Sequence, residues 1–245
     1  MTPTPVGMRC PECSRQRTKV TRGTSSFGQG AAAPATYALI ALNVIAFVAQ
    51  ILSGSAGFDG ADRAFVNFAL YGPAVGDGEW YRIVTGGFLH DGPLHLLFNM
   101  FALYVLGSFL EPGLGTPRFV FLYFASLLAG ALGVLILDPH TFTGGASGAI
   151  FGIFGAAFVI ARERRIGTVA PQIALLLVVN LAFTFGTPGI SIGGHLGGLA
   201  GGFLCSLAIV AGDRGMLGPR RLRAELIAMG VIAVLAAVIS VAIAP

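Results

Sequence analysis

Hydropathy divides the chain into a polar lead and seven apolar runs. Residues 1–33 are rich in Pro, Gly, Ser and Thr, with Arg9, Arg15, Arg17, Lys19 and Arg22 opposed only by Glu12. The apolar runs follow at 36–53, 93–110, 118–137, 147–161, 169–185, 193–211 and 224–243. A membrane-spanning helix needs about 17–25 predominantly apolar residues, so the pattern predicts seven spans, the fourth of them short. Residues 54–92 fit neither class. They carry Phe58, Phe65, Phe68, Tyr71, Trp80, Tyr81 and Phe88 among polar residues. Such a segment is too polar to span and too apolar to be fully solvated, and aromatic rings collect at membrane interfaces. It is expected to lie partly in the interface.

Composition agrees. The 245-residue chain is 55% apolar and 11% charged, with a mean hydropathy of +0.80. A soluble domain carries roughly 25% charge, so the expected class is an all-α polytopic membrane protein. Its first partner is the lipid bilayer. The net charge of +4 is read as loop charge and not as a nucleic-acid footprint. With the N-terminus inside, 13 of the 15 basic residues fall on the cytoplasmic side, and only Arg63 and Arg82 fall outside. The positive-inside rule therefore predicts a plasma-membrane protein with its N-terminus in the cytoplasm and its C-terminus outside. Three parts are expected: a flexible basic arm at 1–33, a six-helix core at 34–212 with the external loop 54–92, and a linker with the seventh helix at 213–245. No apolar core of a cleavable signal peptide is visible in the first 33 residues.

Cys10, Cys13 and Cys205 cannot build a disulfide framework. Cys10-Pro11-Glu12-Cys13 is half of a tetrahedral zinc site, which needs four ligands. It reads as two free thiols in a tail, or as a zinc ribbon lacking its other half. No cofactor is expected.

The predicted topology gives the polar residues a common depth. Ser147 opens the fourth run, His195 lies in the first turn of the sixth, and His95 and Asn99 lie in the first two turns of the second. All three spans enter from outside. Polar side chains are costly in a bilayer and tend to face the bundle interior or a water-filled cavity. A serine hydroxyl needs a base to act as a nucleophile at neutral pH, and His195 is the candidate. No Asp or Glu lies at this depth, so a Ser–His dyad is expected rather than a triad. The N–H of Ser147, at a helix start, has no intrahelical partner. With the side chains of His95 and Asn99, which share a helical face, it could hold an oxyanion. Gly145 and Gly148 flank the serine. Gly198 and Gly202 on the sixth run, and Gly148, Gly152 and Gly155 on the fourth, are spaced for close helix contact. Phe151, one turn after Ser147, is placed to pack on the His195 ring. Each fragment also has a plainer reading. Gly-Ala-Ser-Gly alone fits helix packing, His195 alone fits a polar helix contact, a haem ligand or a proton relay, and His90 and His140 read as interfacial loop residues.

Taken together, the residues resemble the rhomboid intramembrane serine proteases over roughly residues 36–211. His95-Leu96-Leu97-Phe98-Asn99 is similar to that family's HxxxN, Gly145-Ala146-Ser147-Gly148 to its GxSG, and His195 with Gly198 and Gly202 to its HxxGxxxG. Glu79-Trp80-Tyr81-Arg82 resembles its tryptophan–arginine loop motif. The resemblance implies a rhomboid-like six-helix core plus a seventh helix. It implies Ser147 as nucleophile, His195 as general base, and His95, Asn99 and the Ser147 N–H as oxyanion donors, with Trp80 and Arg82 shaping a half-sunk loop. It implies single-span membrane proteins as substrates, cut near the outer end of the span and entering past the fifth helix. Phe151 departs from the tyrosine frequent there. The competing readings are a non-catalytic rhomboid-like protein that binds membrane clients, and a transporter, for which no repeat is found. Nothing in the sequence sets an oligomeric state.

Overall fold

The computed structural model of the protein describes residues 2–4, 7–9, 32–55, 63–167 and 169–245. Thr2–Thr4 (β1) and Gly7–Arg9 (β2) pair antiparallel within the stretch expected to be an arm. Cys10 and Cys13 lie outside the described residues. From residue 34 onward the described residues form an all-α fold. Helix α1 is Pro34–Gln50 and runs on into a π-helical turn, Ile51–Ser55. Three short helices follow, α2 (Arg63–Phe68), α3 (Gly72–Gly76) and α4 (Arg82–Thr85). The bundle continues as α5 (Pro93–Leu114), α6 (Thr116–Leu137), α7 (Ser147–Glu163), α8 (Ala170–Gly186), α9 (Ile192–Asp213) and α10 (Arg221–Ile243).

Among the described residues, five segments are long and apolar enough to cross a membrane: Pro34–Ser53, α5, α6, α9 and Gly218–Ile243. Helices α7 and α8 have 17 residues each. At about 1.5 Å per residue such a helix covers about 25 Å, less than the roughly 30 Å hydrocarbon core. The outer faces carry large apolar side chains such as Leu175, Phe101 and Phe183, all exposed. That is the surface of a chain whose solvent is lipid.

Helix α9 lies between α6 and α7, with α10 against α6 and α1 against α5. Leu103, Leu110, Phe119, Leu122 and Ile153 are fully buried where they meet. Glycine sets the spacing in the middle. A Cβ on Gly198 would overlap the Gly148 carbonyl oxygen, and one on Gly202 would overlap that of Gly152. Small residues thus bring the backbones of α7 and α9 into contact, as helices in lipid often require.

Ion pairs hold one end of the bundle. Arg118 at the start of α6 pairs with buried Glu225 of α10. Arg164 and Arg221 share Asp213, and Arg214 pairs with Glu163. At the same end, the buried Glu111 carboxylate of α5 accepts from the Ala35 N–H at 3.0 Å, and from the Thr36 N–H and hydroxyl at 2.8 Å each. It also accepts from Thr116 Oγ1 at 2.8 Å. A side chain from another helix thereby caps α1, whose own N-cap residue, Ala33, offers no side-chain hydrogen bond. Losing a cap and charged hydrogen bonds together costs about 2–3 kcal/mol. Glu111→Ala is therefore expected to lower the thermal midpoint of the detergent-solubilised protein by about 5–10 °C, with Glu111→Gln falling between.

Candidate active site

The site lies at the other end, where α5, α7 and α9 begin. What precedes α7 is pinned from outside. Leu70 and Thr143 exchange backbone hydrogen bonds of 2.9 Å in both directions, and the Gly145 N–H reaches Gly86 O at 2.9 Å. The loop 54–92 therefore holds the approach to Ser147. Arg82 organises the loop itself. Only 6% exposed, it donates to Glu79 Oε2 at 2.6 Å, to Val66 O at 2.7 Å and to Ala69 O at 2.9 Å. The Arg82 guanidinium, and next the Tyr81 hydroxyl, hold the Glu79 carboxyl below its usual range. Trp80, by contrast, is 62% exposed, an apolar ring facing outward beside a locked arginine.

Ser147 is the first residue of α7, and its Oγ lies 2.8 Å from His195 Nε2. The His195 ring stacks on Phe151 with centroids 4.0 Å apart and an 18° interplanar angle. Ser191 caps α9, accepting from the Gly194 N–H at 3.0 Å, so His195 sits in an ordered first turn. Gly145 meets two constraints at once. Its φ is +132°, and a Cβ there would come within 2.9 Å of His95 Cε1 and Nε2. Only glycine lets the His95 ring lie against this turn.

His95 Nδ1 accepts from the Asp91 N–H at 3.4 Å. A nitrogen that accepts carries no proton, so the His95 proton is on Nε2, the atom against Gly145. Asn99 Nδ2 donates to His95 O at 2.9 Å. An amide nitrogen carries two hydrogens, which leaves a second to give. His90 differs from its reading as an interfacial loop residue. It is fully buried, edge-on to His95 with centroids 5.1 Å apart. Its backbone is clasped by Gln50 of α1, at 3.0 Å to its carbonyl and 3.3 Å from its N–H. Burial, and next the His95 ring, push the His90 imidazole down to about 3, so it stays neutral.

Sequence reasoning missed one contact of His195: Thr184 of α8, whose Oγ1 lies 2.7 Å from His195 Nδ1. Gly148 and Gly198 face each other below the serine, and Gly202 lies a turn further along against Gly152. Among the described residues no cluster of three His, Cys, Asp or Glu side chains could hold a metal ion.

Comparison with known proteins bears on this arrangement. A family model described as the Rhomboid domain matches residues 77–212. The rhomboid protease GluP of Bacillus subtilis is 34% identical over 195 residues, which is 78% of this chain and 38% of that protein. YdcA of the same organism is 38% identical over 144 residues, 57% of this chain and 72% of its own length. RHOMBOID-like protein 5 of Arabidopsis thaliana is 34% identical over 162 residues, 62% of this chain and 52% of its own. The chain thus spans well under half the length of GluP.

Proposed function

Because the chain belongs to the rhomboid family, we propose that it is an intramembrane serine endopeptidase with Ser147 as nucleophile and His195 as general base. The observation that carries the reading is the 2.8 Å hydrogen bond from Ser147 Oγ to His195 Nε2 inside an apolar helical bundle. Ser147 Oγ attacks the scissile carbonyl while His195 Nε2 takes its proton. The same nitrogen then gives that proton to the leaving amine. The developing oxyanion is met by the Ser147 N–H, by His95 Nε2–H and by an Asn99 Nδ2–H. A water, activated by His195 in turn, releases the acyl group. Phe151 holds the imidazole plane throughout.

The substrates are single-span membrane proteins, cut near the outer face of the bilayer. The protein sits in the plasma membrane as six helices plus a seventh, with its N-terminus in the cytoplasm and its C-terminus outside. Two features support the cut position. The serine starts a helix of 17 residues, too short to reach both surfaces, and it lies at the end of the bundle opposite the ion pairs of Arg118, Arg164 and Arg214. Basic residues favour the cytoplasmic side.

The test is cleavage of single-span reporters by protein reconstituted in vesicles, with the products sized by mass spectrometry. Cuts within the outer third of the reporter span are expected. Cuts in soluble loops, or at the cytoplasmic end, would contradict the proposed site depth. Folded protein that binds reporters but cuts none would favour the client-binding reading.

A further inference from the structure

The Ser147 bond uses one nitrogen of His195 and leaves the other to be accounted for. His195 Nδ1 lies 2.7 Å from Thr184 Oγ1. That hydroxyl also lies 2.8 Å from the carbonyl of Asn180, four residues earlier on α8. A threonine hydroxyl has one proton and two lone pairs, whereas a carbonyl only accepts. The Thr184 proton therefore goes to Asn180 O, a back-bond that threonine forms within helices. What remains for Nδ1 is a lone pair, so Nδ1 must be the nitrogen that carries the proton. A neutral imidazole has one N–H. With that proton on Nδ1, Nε2 presents its lone pair to Ser147.

We infer that Thr184 is a positioning residue that fixes His195 in the tautomer able to deprotonate Ser147, joining α7, α8 and α9 in one hydrogen-bonded line. The inference rests on the proposed protease reading for its kinetic consequence, but not for the tautomer itself. The reverse assignment fails on count. If Thr184 donated to Nδ1, the ring proton would sit on Nε2 and point at the serine oxygen. The serine could then not pass its proton to that atom, and Asn180 O would lose its side-chain donor.

The proton balance is simple. The Ser147 O–H bond breaks and the proton passes to Nε2, giving an imidazolium protonated on both nitrogens. Nε2 later gives that proton to the leaving amine. The Nδ1–H stays in place throughout, held on the Thr184 lone pair. A hydroxyl brings no charge to the imidazolium, so Thr184 aligns the ring without the electrostatic help that a carboxylate supplies in a triad.

Its location fits an alignment role. Thr184 is 2% exposed and is one of two buried residues on α8, the other being Ile173 in the first turn. Ten of the 17 residues of α8 are exposed, whereas this hydroxyl is turned in at the depth of the dyad.

The experiment compares wild type, Thr184→Val, Thr184→Ser and Ser147→Ala in reporter cleavage. The same proteins, labelled with ¹⁵N-histidine and solubilised in detergent, give the ring-nitrogen spectrum. Thr184→Val keeps shape and removes the hydroxyl. It is expected to lower kcat on the order of tenfold, the equivalent of one neutral hydrogen bond, with KM unchanged and the thermal midpoint kept. Thr184→Ser is expected to recover most of the loss. The spectrum should show His195 protonated at Nδ1 in wild type and a mixture of tautomers in Thr184→Val. Wild-type kcat in Thr184→Val, or an Nε2–H tautomer in the wild type, would overturn the inference. The spectrum reads the tautomer without turnover, so it decides the inference even where wild type and Ser147→Ala prove equally inert. That last outcome would count against the protease reading alone.

Discussion

Ser147→Ala and His195→Ala are each expected to reduce reporter cleavage by about 10⁴-fold or more. Loss of nucleophile or base in triad-type serine hydrolases has effects of that order. In the proposed mechanism the two side chains act as one unit, so the double variant should be little worse than either single one. Ser147→Ala removes one oxygen at a helix start and should leave the thermal midpoint unchanged. His195→Ala also removes the ring stacked on Phe151 and should lower the midpoint by a few degrees. Cleavage rates measured beside thermal unfolding separate lost chemistry from lost fold. Ser147→Ala protein that still cut at a tenth of the wild-type rate would mean that another residue attacks the carbonyl.

Gly198→Val should have the next largest effect, by a different route. The side chain would have to enter space already occupied by the Gly148 carbonyl oxygen. Neither backbone can yield without moving α7 away from α9, and those helices carry Ser147 and His195 respectively. A displacement of about 1 Å in a catalytic pair is enough to cost on the order of 100-fold. A separation large enough to admit a valine should remove measurable cleavage and lower the thermal midpoint together. Gly186→Ala is the control. Nothing lies within 4 Å of a Cβ at that position, so rate and stability should stay at wild-type values. Wild-type cleavage by Gly198→Val would show that the close contact of α7 with α9 is not what aligns the dyad.

Much of this arrangement could be read from the order of residues, because a bilayer leaves a chain few options. Backbone polar groups in lipid must pair within the segment, so long apolar runs become helices. The runs at 118–137 and 193–211 differ by at most two residues at either end from α6 and α9. The second apolar run stops at 110, before Glu111 and Pro112. The helix continues to Leu114 because Glu111 is not a surface charge there; its carboxylate is taken up by Ala35, Thr36 and Thr116. Thr36 is 75 residues from Glu111, and a pairing over that distance leaves no local signature. The aromatic residues of 54–92 are legible in the sequence. The attachment of Leu70 and Gly86 to Thr143 and Gly145 is not, since backbone hydrogen bonds carry no side-chain pattern. His90 reads as an interfacial loop residue, and its burial against His95 has no signal in the local sequence. Thr184 went unnoticed for a narrower reason. The third member of a hydrolase triad is ordinarily a carboxylate, and a threonine near the end of an apolar helix resembles ordinary helix packing. Its depth, level with His195, was the available signal.

Whether Ser147 is an activated nucleophile is read most directly by fluorophosphonate labelling of the detergent-solubilised protein, with Ser147→Ala and His195→Ala alongside and an active rhomboid protease as positive control. The expected result is covalent labelling of wild type at Ser147, mapped by mass spectrometry, and its loss in both variants. Folded wild type that stays unlabelled while the control reacts, or Ser147→Ala labelled as strongly as wild type, would contradict the Ser147–His195 dyad.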